Sequence, residues 1–130
     1  MDKVLLIGNM NWFGILIEAC KKMVPDLFVT VNFEEVNARI KLGQVDRVCI
    51  VQSAFNFSGN SSNSASGSEA AQAFHKVVPS IPILVWTDIN IEIPTRLVNE
   101  LYLDCGMYET PIFYQVMKEF YSGMFPPPSI

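Results

Sequence analysis

Residues that usually carry metal or redox chemistry are scarce in this chain. It has one histidine, His75, and three cysteines that lie far apart in apolar segments: Cys20, Cys49 and Cys105. There is no CxxC motif, and no second histidine that could join a cysteine as a ligand. The sequence therefore predicts buried free thiols rather than a metal or redox site, and it predicts no cofactor.

Clustered positive charge is also missing. The chain carries 9 Lys and Arg against 13 Asp and Glu, so its formal net charge is −4, and its cations are scattered along the sequence. Proteins that bind nucleic acid gain affinity from cations clustered against the phosphate backbone. We therefore expect no nucleic-acid partner.

Long apolar runs are absent as well. The longest are strand-sized, well short of the roughly 20 residues that a membrane-spanning helix requires. The N-terminal MDKVLLIG lacks the long apolar region of a signal peptide. The sequence therefore predicts no membrane partner and a cytoplasmic location.

What the chain does contain is enough apolar material for one core. Half of its 130 residues are hydrophobic and 17% are charged, as in a single globular domain. We assign that domain to residues 1–125. The proline run at 126–128 ends the last helix, so residues 126–130 have the composition of a tail or the start of a linker.

Apolar runs of strand length alternate with segments of helical periodicity. Strands are predicted at 3–7, 27–31, 46–52, 81–87 and, as a short fifth strand, 107–109. Helices are predicted at 12–24, between the N-cap Asn32 and Gly43, and at 67–78, 95–105 and 113–124. This alternation implies a parallel sheet covered by helices on both faces. The predicted fold is α/β, a flavodoxin-like three-layer (βα)5 sandwich with a five-stranded parallel sheet.

Three segments carry a resemblance to a known family. GSEAAQAFHKVVPSIPILVWTD, residues 67–88, opens a helix with glycine and glutamate, has a Pro-x-x-Pro before the next strand and ends that strand with a threonine. VDRVCIV, residues 45–51, has the form of a third strand, and CGMYETPI, residues 105–112, covers the predicted fifth strand. These segments resemble the receiver domains of response regulators, and the order of elements is similar over nearly the whole chain.

The resemblance implies where a phosphorylation site would lie. Receivers bind magnesium with an acidic pair after strand one, accept phosphate on an aspartate that ends strand three, and use a hydroxyl after strand four. A lysine before a proline neutralises the phosphoryl group. The matching positions here are Gly8 and Asn9 for the acidic pair, Val51 (or Gln52, if the register slips by one) for the acceptor, Thr87 for the hydroxyl and Thr110 for the lysine.

Of these positions, only Thr87 keeps the residue type that the chemistry needs. Magnesium requires anionic oxygen ligands, which Asn9 and Gln52 do not supply. Without a carboxylate nucleophile, a metal or an ammonium group, phosphoryl transfer has neither an acceptor nor charge neutralisation. We therefore expect no metal, no catalytic residue and no enzymatic activity, as in a pseudo-receiver.

The leading hypothesis is a non-phosphorylatable signalling or scaffolding module, of the two-component type, that acts by protein contact. The partner would be another protein or a second copy of the chain. Receivers use the face of helix four, strand five and helix five for dimerisation and output, and large aromatic and methionine side chains are common interface anchors. The residues on that face are Tyr102, Met107, Tyr108, Phe113 and Tyr114. The competing interpretation is that most of them complete the core.

The alternative hypothesis is a small-molecule-binding or enzymatic flavodoxin-like domain that uses the pocket at the carboxyl ends of the strands. Its hydrogen-bonding groups would be Asn9, Gln52, Thr87 and the loop 53–66, which contains six serines and three asparagines. That loop is either a solvated insertion without a dedicated role or a lid or docking loop. The absence of a paired acid, base or nucleophile makes catalysis the weaker form of this hypothesis.

Overall fold

A computed structural model describes residues 1–8, 14–52, 67–87, 101–105 and 110–123. Parallel strands β1 (Asp2–Ile7), β2 (Phe28–Thr30), β3 (Val45–Gln52), β4 (Ile83–Thr87) and β5 (Leu101–Cys105) form one sheet in the order β2-β1-β3-β4-β5. The helices of the described ranges are α1 (Gly14–Met23), α2 (Phe33–Lys41), α3 (Gly67–Val77) and α4 (Pro111–Tyr121). The predicted α/β class with a parallel sheet is confirmed.

The central strands divide the buried residues into two clusters. In β1, Val4 faces one side of the sheet and Leu5 faces the other, and the register places Leu5 beside Cys49 of β3 and Cys49 beside Leu84 of β4. One cluster packs under α2 and α3, and we call it the α2/α3 core. The other, the α1/α4 core, packs under α1 and α4. Because both faces are covered, these strands carry continuous apolar runs, residues 4–7 in β1 and 48–51 in β3.

Local sequence explains where α2 begins and ends. Asn32 is the N-cap, as predicted, and its side chain accepts a hydrogen bond from the backbone N–H of Glu35 at 3.1 Å. The first turn is acidic and the last turn is basic, which the helix dipole favours. Gly43 follows with φ of +70°, a left-handed conformation that glycine adopts without strain.

Two side-chain hydrogen bonds fix the end of α4 on the sheet. Arg47 of β3 donates from Nη1 to the carbonyl oxygen of Phe120 at 2.5 Å and from Nε to Asp46 at 2.9 Å, with its guanidinium above the Phe120 ring. The hydroxyl of Tyr121 donates to the carbonyl oxygen of Val4 in β1 at 2.7 Å. The last turn of α4 is therefore tied to both central strands.

A short strand at one edge of the sheet is covered by a long cation. β2 has three residues, and the Arg39 guanidinium lies 3.9 Å from the centre of the Phe28 ring. The same guanidinium donates to Asp2 of β1 at 2.7 Å. A short edge strand under a charged side chain is a poor template for pairing with another chain.

The predicted helix at 95–105 is wrong over its described part. Residues 101–105 form β5, and Leu101 and Tyr102 lie beside Ile83 and Leu84 of β4 in a parallel ladder. A short apolar run is compatible with either helical or strand periodicity, and pairing with β4 decides between them. The predicted strand at 107–109 and the tail at 126–130 lie outside the described residues.

The other boundaries agree with the structure to within a few residues. The last helix begins at Pro111 rather than at 113, because Thr110 caps it and proline is well suited to a first helical position. The described ranges contain four helices, so they do not provide all five units of the predicted (βα)5 sandwich. None of these helices has both the length and the apolar composition needed to cross a membrane.

Candidate functional site

The carboxyl ends of neighbouring strands meet at one edge of the sheet. Ile7 of β1 lies beside Val51 of β3, and Val51 lies beside Trp86 of β4. One residue further along, Gln52 lies beside Thr87. Ligands of doubly wound sheets bind outside this edge. The fold therefore brings together the two candidate acceptor positions and the candidate hydroxyl position.

The remaining candidate positions lie around the same edge. Gly8 directly follows β1 and is half-buried. Thr110 is the N-cap of α4, and its Oγ1 accepts a hydrogen bond from the backbone N–H of Phe113 at 3.2 Å, with Pro111 as the next residue. The residue that resembles the receiver lysine thus initiates a helix. Asn9 lies outside the described residues.

Val51 is a core residue. It is fully buried in the α1/α4 core, together with Trp86 and Phe113, and we call these three residues the edge cluster. The Trp86 and Phe113 rings meet edge to face with their centroids 4.9 Å apart. A carboxylate at position 51 would lose its hydration among these apolar groups. Within the described ranges, apolar side chains thus fill the α1/α4 side of the edge at this position.

Trp86 also brings a polar atom to this edge. Its indole nitrogen Nε1 is buried, and no acceptor lies within hydrogen-bond distance of it in the described part of the chain. Leaving a buried donor unsatisfied costs about 1–3 kcal/mol. No motif singles out Trp86; the available signal is a tryptophan placed just before the end of a buried parallel strand.

Two thiols lie in the same core, on α1 and β3. Burial raises the pKa of the Cys20 thiol to about 12. The pKa of Cys49 is raised well above its usual range, mainly by burial and to a smaller extent by the charge of the nearby Cys20. The Cys49 Sγ lies 3.2 Å from the Met117 Sδ and donates to it. Because the thiolate is the reactive form, both groups are inert at neutral pH. The prediction of buried free thiols is confirmed for these two cysteines.

Candidate metal ligands are dispersed over the described part of the chain. Across the described ranges, no three His, Cys, Asp or Glu side chains lie close enough together to hold a metal ion. His75 belongs to α3, next to Phe74 of the α2/α3 core, on the face of the sheet opposite the edge cluster. It therefore cannot act on a ligand held against Val51.

One of the five residues predicted for the aromatic interface belongs to the core instead. Phe113 is fully buried against Trp86, so it is a core residue and not a partner contact. Its spacing from Met117 and Phe120 puts it on the buried stripe of α4. Tyr114 is half-buried, with its ring 5.3 Å from that of Phe113. The remaining predicted interface side chains are not among the described ones; they are Tyr102, Met107 and Tyr108.

Two exposed isoleucines accompany this edge. Ile15 and Ile112, in the first turns of α1 and α4, are each 70% exposed. Both helices begin at the carboxyl edge of the sheet and pack on the same face. Leu42, at the end of α2, is 71% exposed on the opposite face. The sequence signal for Ile15 and Ile112 is an apolar residue out of phase with the buried stripe of its helix.

The comparisons with known proteins concern the fold alone. No protein-family model matches the chain, and no curated protein matches it. Among solved structures, it is similar to a de novo designed Rossmann 2x3 fold protein determined by solution NMR. The TM-score is 0.64 with 9% sequence identity, over 99% of this chain and 95% of that one. The similarity shows a Rossmann-like α/β fold, and a fold does not determine a function.

Proposed function

We propose that this chain is a receiver-like signalling or scaffolding module that works by protein contact and does not accept phosphate. The observation that carries the proposal is the burial of Val51, the position that resembles the acceptor, within the edge cluster. The other acceptor position, Gln52, is a neutral amide. Neither residue has the carboxylate that forms an acyl phosphate in receivers.

Thr110, the position that resembles the receiver lysine, also supports the absence of phosphoryl chemistry. A receiver neutralises the phosphoryl group with an ammonium at this position, whereas Thr110 has a hydroxyl that caps α4. The proposal also includes the flavodoxin-like (βα)5 form of the sandwich, which the strand order supports. It further includes a cytoplasmic location, a place in two-component signalling, and the absence of enzymatic activity, cofactor, metal, nucleic-acid and membrane partners.

The first test is chemical. The protein is incubated with acetyl phosphate, or with beryllofluoride, in the presence of magnesium, beside a receiver domain that has a complete site. We expect no change in the mass or in the amide NMR spectrum of this protein, because neither candidate acceptor is a carboxylate. A stable adduct, on Asp88 for example, would contradict the proposal.

The second test concerns the contact surface. We propose that it contains exposed Ile112 and half-buried Tyr114 of α4, next to the predicted anchors Tyr102, Met107 and Tyr108. Phe113 is excluded because it is buried. We take the partner to be a second copy. Ile112→Ser then raises the dimer dissociation constant at least about fivefold, as the loss of an apolar anchor does.

Analytical ultracentrifugation over a concentration series measures that constant. Leu42→Ser is the matched control, because Leu42 is as exposed as Ile112 but lies at the end of α2. Circular dichroism confirms that both variants remain folded. A native protein that stays monomeric at every concentration, or equal effects of the two variants, would reject the dimer surface.

One observation favours the second candidate function, the binding of an uncharged polar ligand at the strand ends. The buried Trp86 Nε1 has no acceptor in the described part of the chain, and a ligand acceptor could satisfy it. Trp12→Phe leaves Trp86 as the only tryptophan, so its indole N–H gives a single NMR signal. Adenosine and nicotinamide serve as neutral probes. A saturable shift of that signal favours this function, and its absence with both probes counts against it.

A further inference from the structure

A cleft of about 240 Å³ opens at the amino edge of the sheet, at the opposite end from the candidate functional site. It lies between the end of α1 and the end of α4, beside the start of β1. Residues from all three elements line it, among them Lys3, Val24, Asp26, Lys118, Tyr121 and Ser122. We call it the amino-edge cleft.

Part of its lining is apolar and fixed in place. Val24 is 7% exposed and Tyr121 is 3% exposed. The Tyr121 hydroxyl already donates to the carbonyl oxygen of Val4 at 2.7 Å, so its hydrogen is not available to a ligand anion. The Ser122 hydroxyl likewise donates within the chain, to the carbonyl oxygen of Glu119 at 3.0 Å. Among the lining side chains, the two lysines are the donors that have no partner in the described part of the chain.

The charge of this lining is opposite to that of the whole chain. Lys3 and Lys118 outnumber the one carboxylate, Asp26, whereas the chain as a whole carries −4. Within the described ranges, the ion pairs involve Arg39 and Arg47, and neither cleft lysine forms one. Lys118 lies in the last turn of α4, where the helix dipole favours a cation, and Lys3 lies near the start of β1. These positions leave the ammonium N–H groups available to an anion.

We propose that the amino-edge cleft binds a small carboxylic acid with an apolar ring or short chain. The carboxylate lies between the ammonium groups of Lys3 and Lys118, and the apolar part packs on Val24 and Tyr121. The cleft is smaller than the roughly 300–1,000 Å³ typical of pockets for drug-sized ligands, so the ligand must be small. This site does not depend on the proposed function.

The test is a titration with benzoate, followed by two-dimensional amide NMR. We expect saturable shifts at the amides of Met23, Val24, Asp26 and Ser122, which line the cleft, with a dissociation constant in the millimolar range, about 1–10 mM. Benzamide has the same ring without the charge, and inorganic phosphate has the charge without the ring. Both should bind more weakly than benzoate, because each provides only one of the two contacts.

Variants assign the charge contribution. Lys118→Gln and Lys3→Gln should each weaken benzoate binding about two- to fivefold, the effect of one solvent-exposed charge pair. Asp26→Asn should tighten binding because it removes a repulsive charge. Lys41→Gln, at the end of α2, is the matched control and should leave the affinity unchanged. The proposal is overturned if benzoate shifts no lining residue, if benzamide or phosphate binds equally well, or if Lys41→Gln acts like Lys118→Gln.

Discussion

Val51 shows how the fold constrains a single side chain at the carboxyl edge of the sheet. It is fully buried in register with Ile7 on one side and Trp86 on the other. The receiver acceptor that Val51 resembles is an ionised carboxylate, which requires cations or metal in contact with it. Here the surroundings are the edge cluster. The position is therefore adapted to packing, and a carboxylate introduced there would be destabilising.

Val51→Asp tests this directly. At neutral pH we expect the free energy of unfolding to fall by more than about 3 kcal/mol, because a charge enters an apolar cluster without a partner. The buried carboxyl would have a raised pKa, so stability is retained at low pH and lost as the pH rises above the unfolded value of about 4. Urea denaturation over that pH range gives both quantities.

Val51→Thr is the control for that experiment, because threonine has nearly the shape of valine and carries no charge. It should cost less than Val51→Asp and add no pH dependence. Equal stability of the two variants would mean that position 51 is solvated, which would contradict its assignment to the core.

Some residue-level features could be predicted from the sequence and others could not. An apolar residue near the end of a continuous apolar strand, such as Val51, is correctly expected to pack. The sequence leaves Phe113 ambiguous, because an aromatic residue in the first turn of an amphipathic helix suits a core or an interface equally well. The unsatisfied Nε1 of Trp86 depends on where every nearby acceptor lies, which no local pattern specifies.

At the scale of elements, α4 is held at both ends by specific polar contacts. Thr110 caps its start, and Arg47 of β3 binds the carbonyl oxygen of Phe120 near its end. Arg47 is 18% exposed in its side chain, and it also pairs with Asp46. The Arg47 guanidinium is thus the charged contact between the end of this helix and the central strand, beside the Cys49–Met117 contact in the core.

Arg47→Ala should lower the free energy of unfolding by about 1–3 kcal/mol, since it leaves a helix-end carbonyl without its charged donor. Arg47→Lys keeps the charge but loses the planar arrangement of donors, so its cost should lie between zero and that of alanine. Chemical denaturation measures both, with exposed Lys41→Ala as the control. If lysine restores full stability, charge alone accounts for the contact.

Elements were predictable where periodicity and caps agree, and misassigned where they conflict. Asn32 and Gly43 delimit α2 in the sequence as they do in the structure. For segment 101–105 the sequence predicts a helix, because Leu101 continues a helical spacing from Leu97. Its strand state depends on pairing with β4, a long-range contact that is invisible to any local window.

At the scale of the whole molecule, the two buried thiols make the stability of the fold decrease at alkaline pH. The ordinary thiol pKa is 9.0, whereas burial raises the pKa of Cys20 to about 12 and the pKa of Cys49 well above its usual range. Above pH 9.0 the unfolded chain therefore releases protons that the folded chain retains. The unfolded state then binds fewer protons, so stability falls as the pH rises.

Between about pH 8 and about pH 9.5, we expect the two thiols together to reduce the free energy of unfolding by about 1.5 kcal/mol. Urea denaturation under reducing conditions measures the change. The double variant Cys20→Ala, Cys49→Ala should be less stable overall, because it leaves cavities, but its stability should fall less over this pH interval. An unchanged pH dependence in the double variant would show that other groups cause the loss.

The division of the interior by the sheet has a consequence for how this sequence can evolve. Val4 and Leu5 are neighbours in the chain, yet they belong to different cores that the sheet backbone separates. A substitution in one core therefore has few partners in the other, and effects of distant, unconnected sites add independently. Substitutions can accumulate in the α2/α3 core without altering the layer that contains the edge cluster and the amino-edge cleft. Homologous chains should thus vary in two separate blocks, each co-varying within itself.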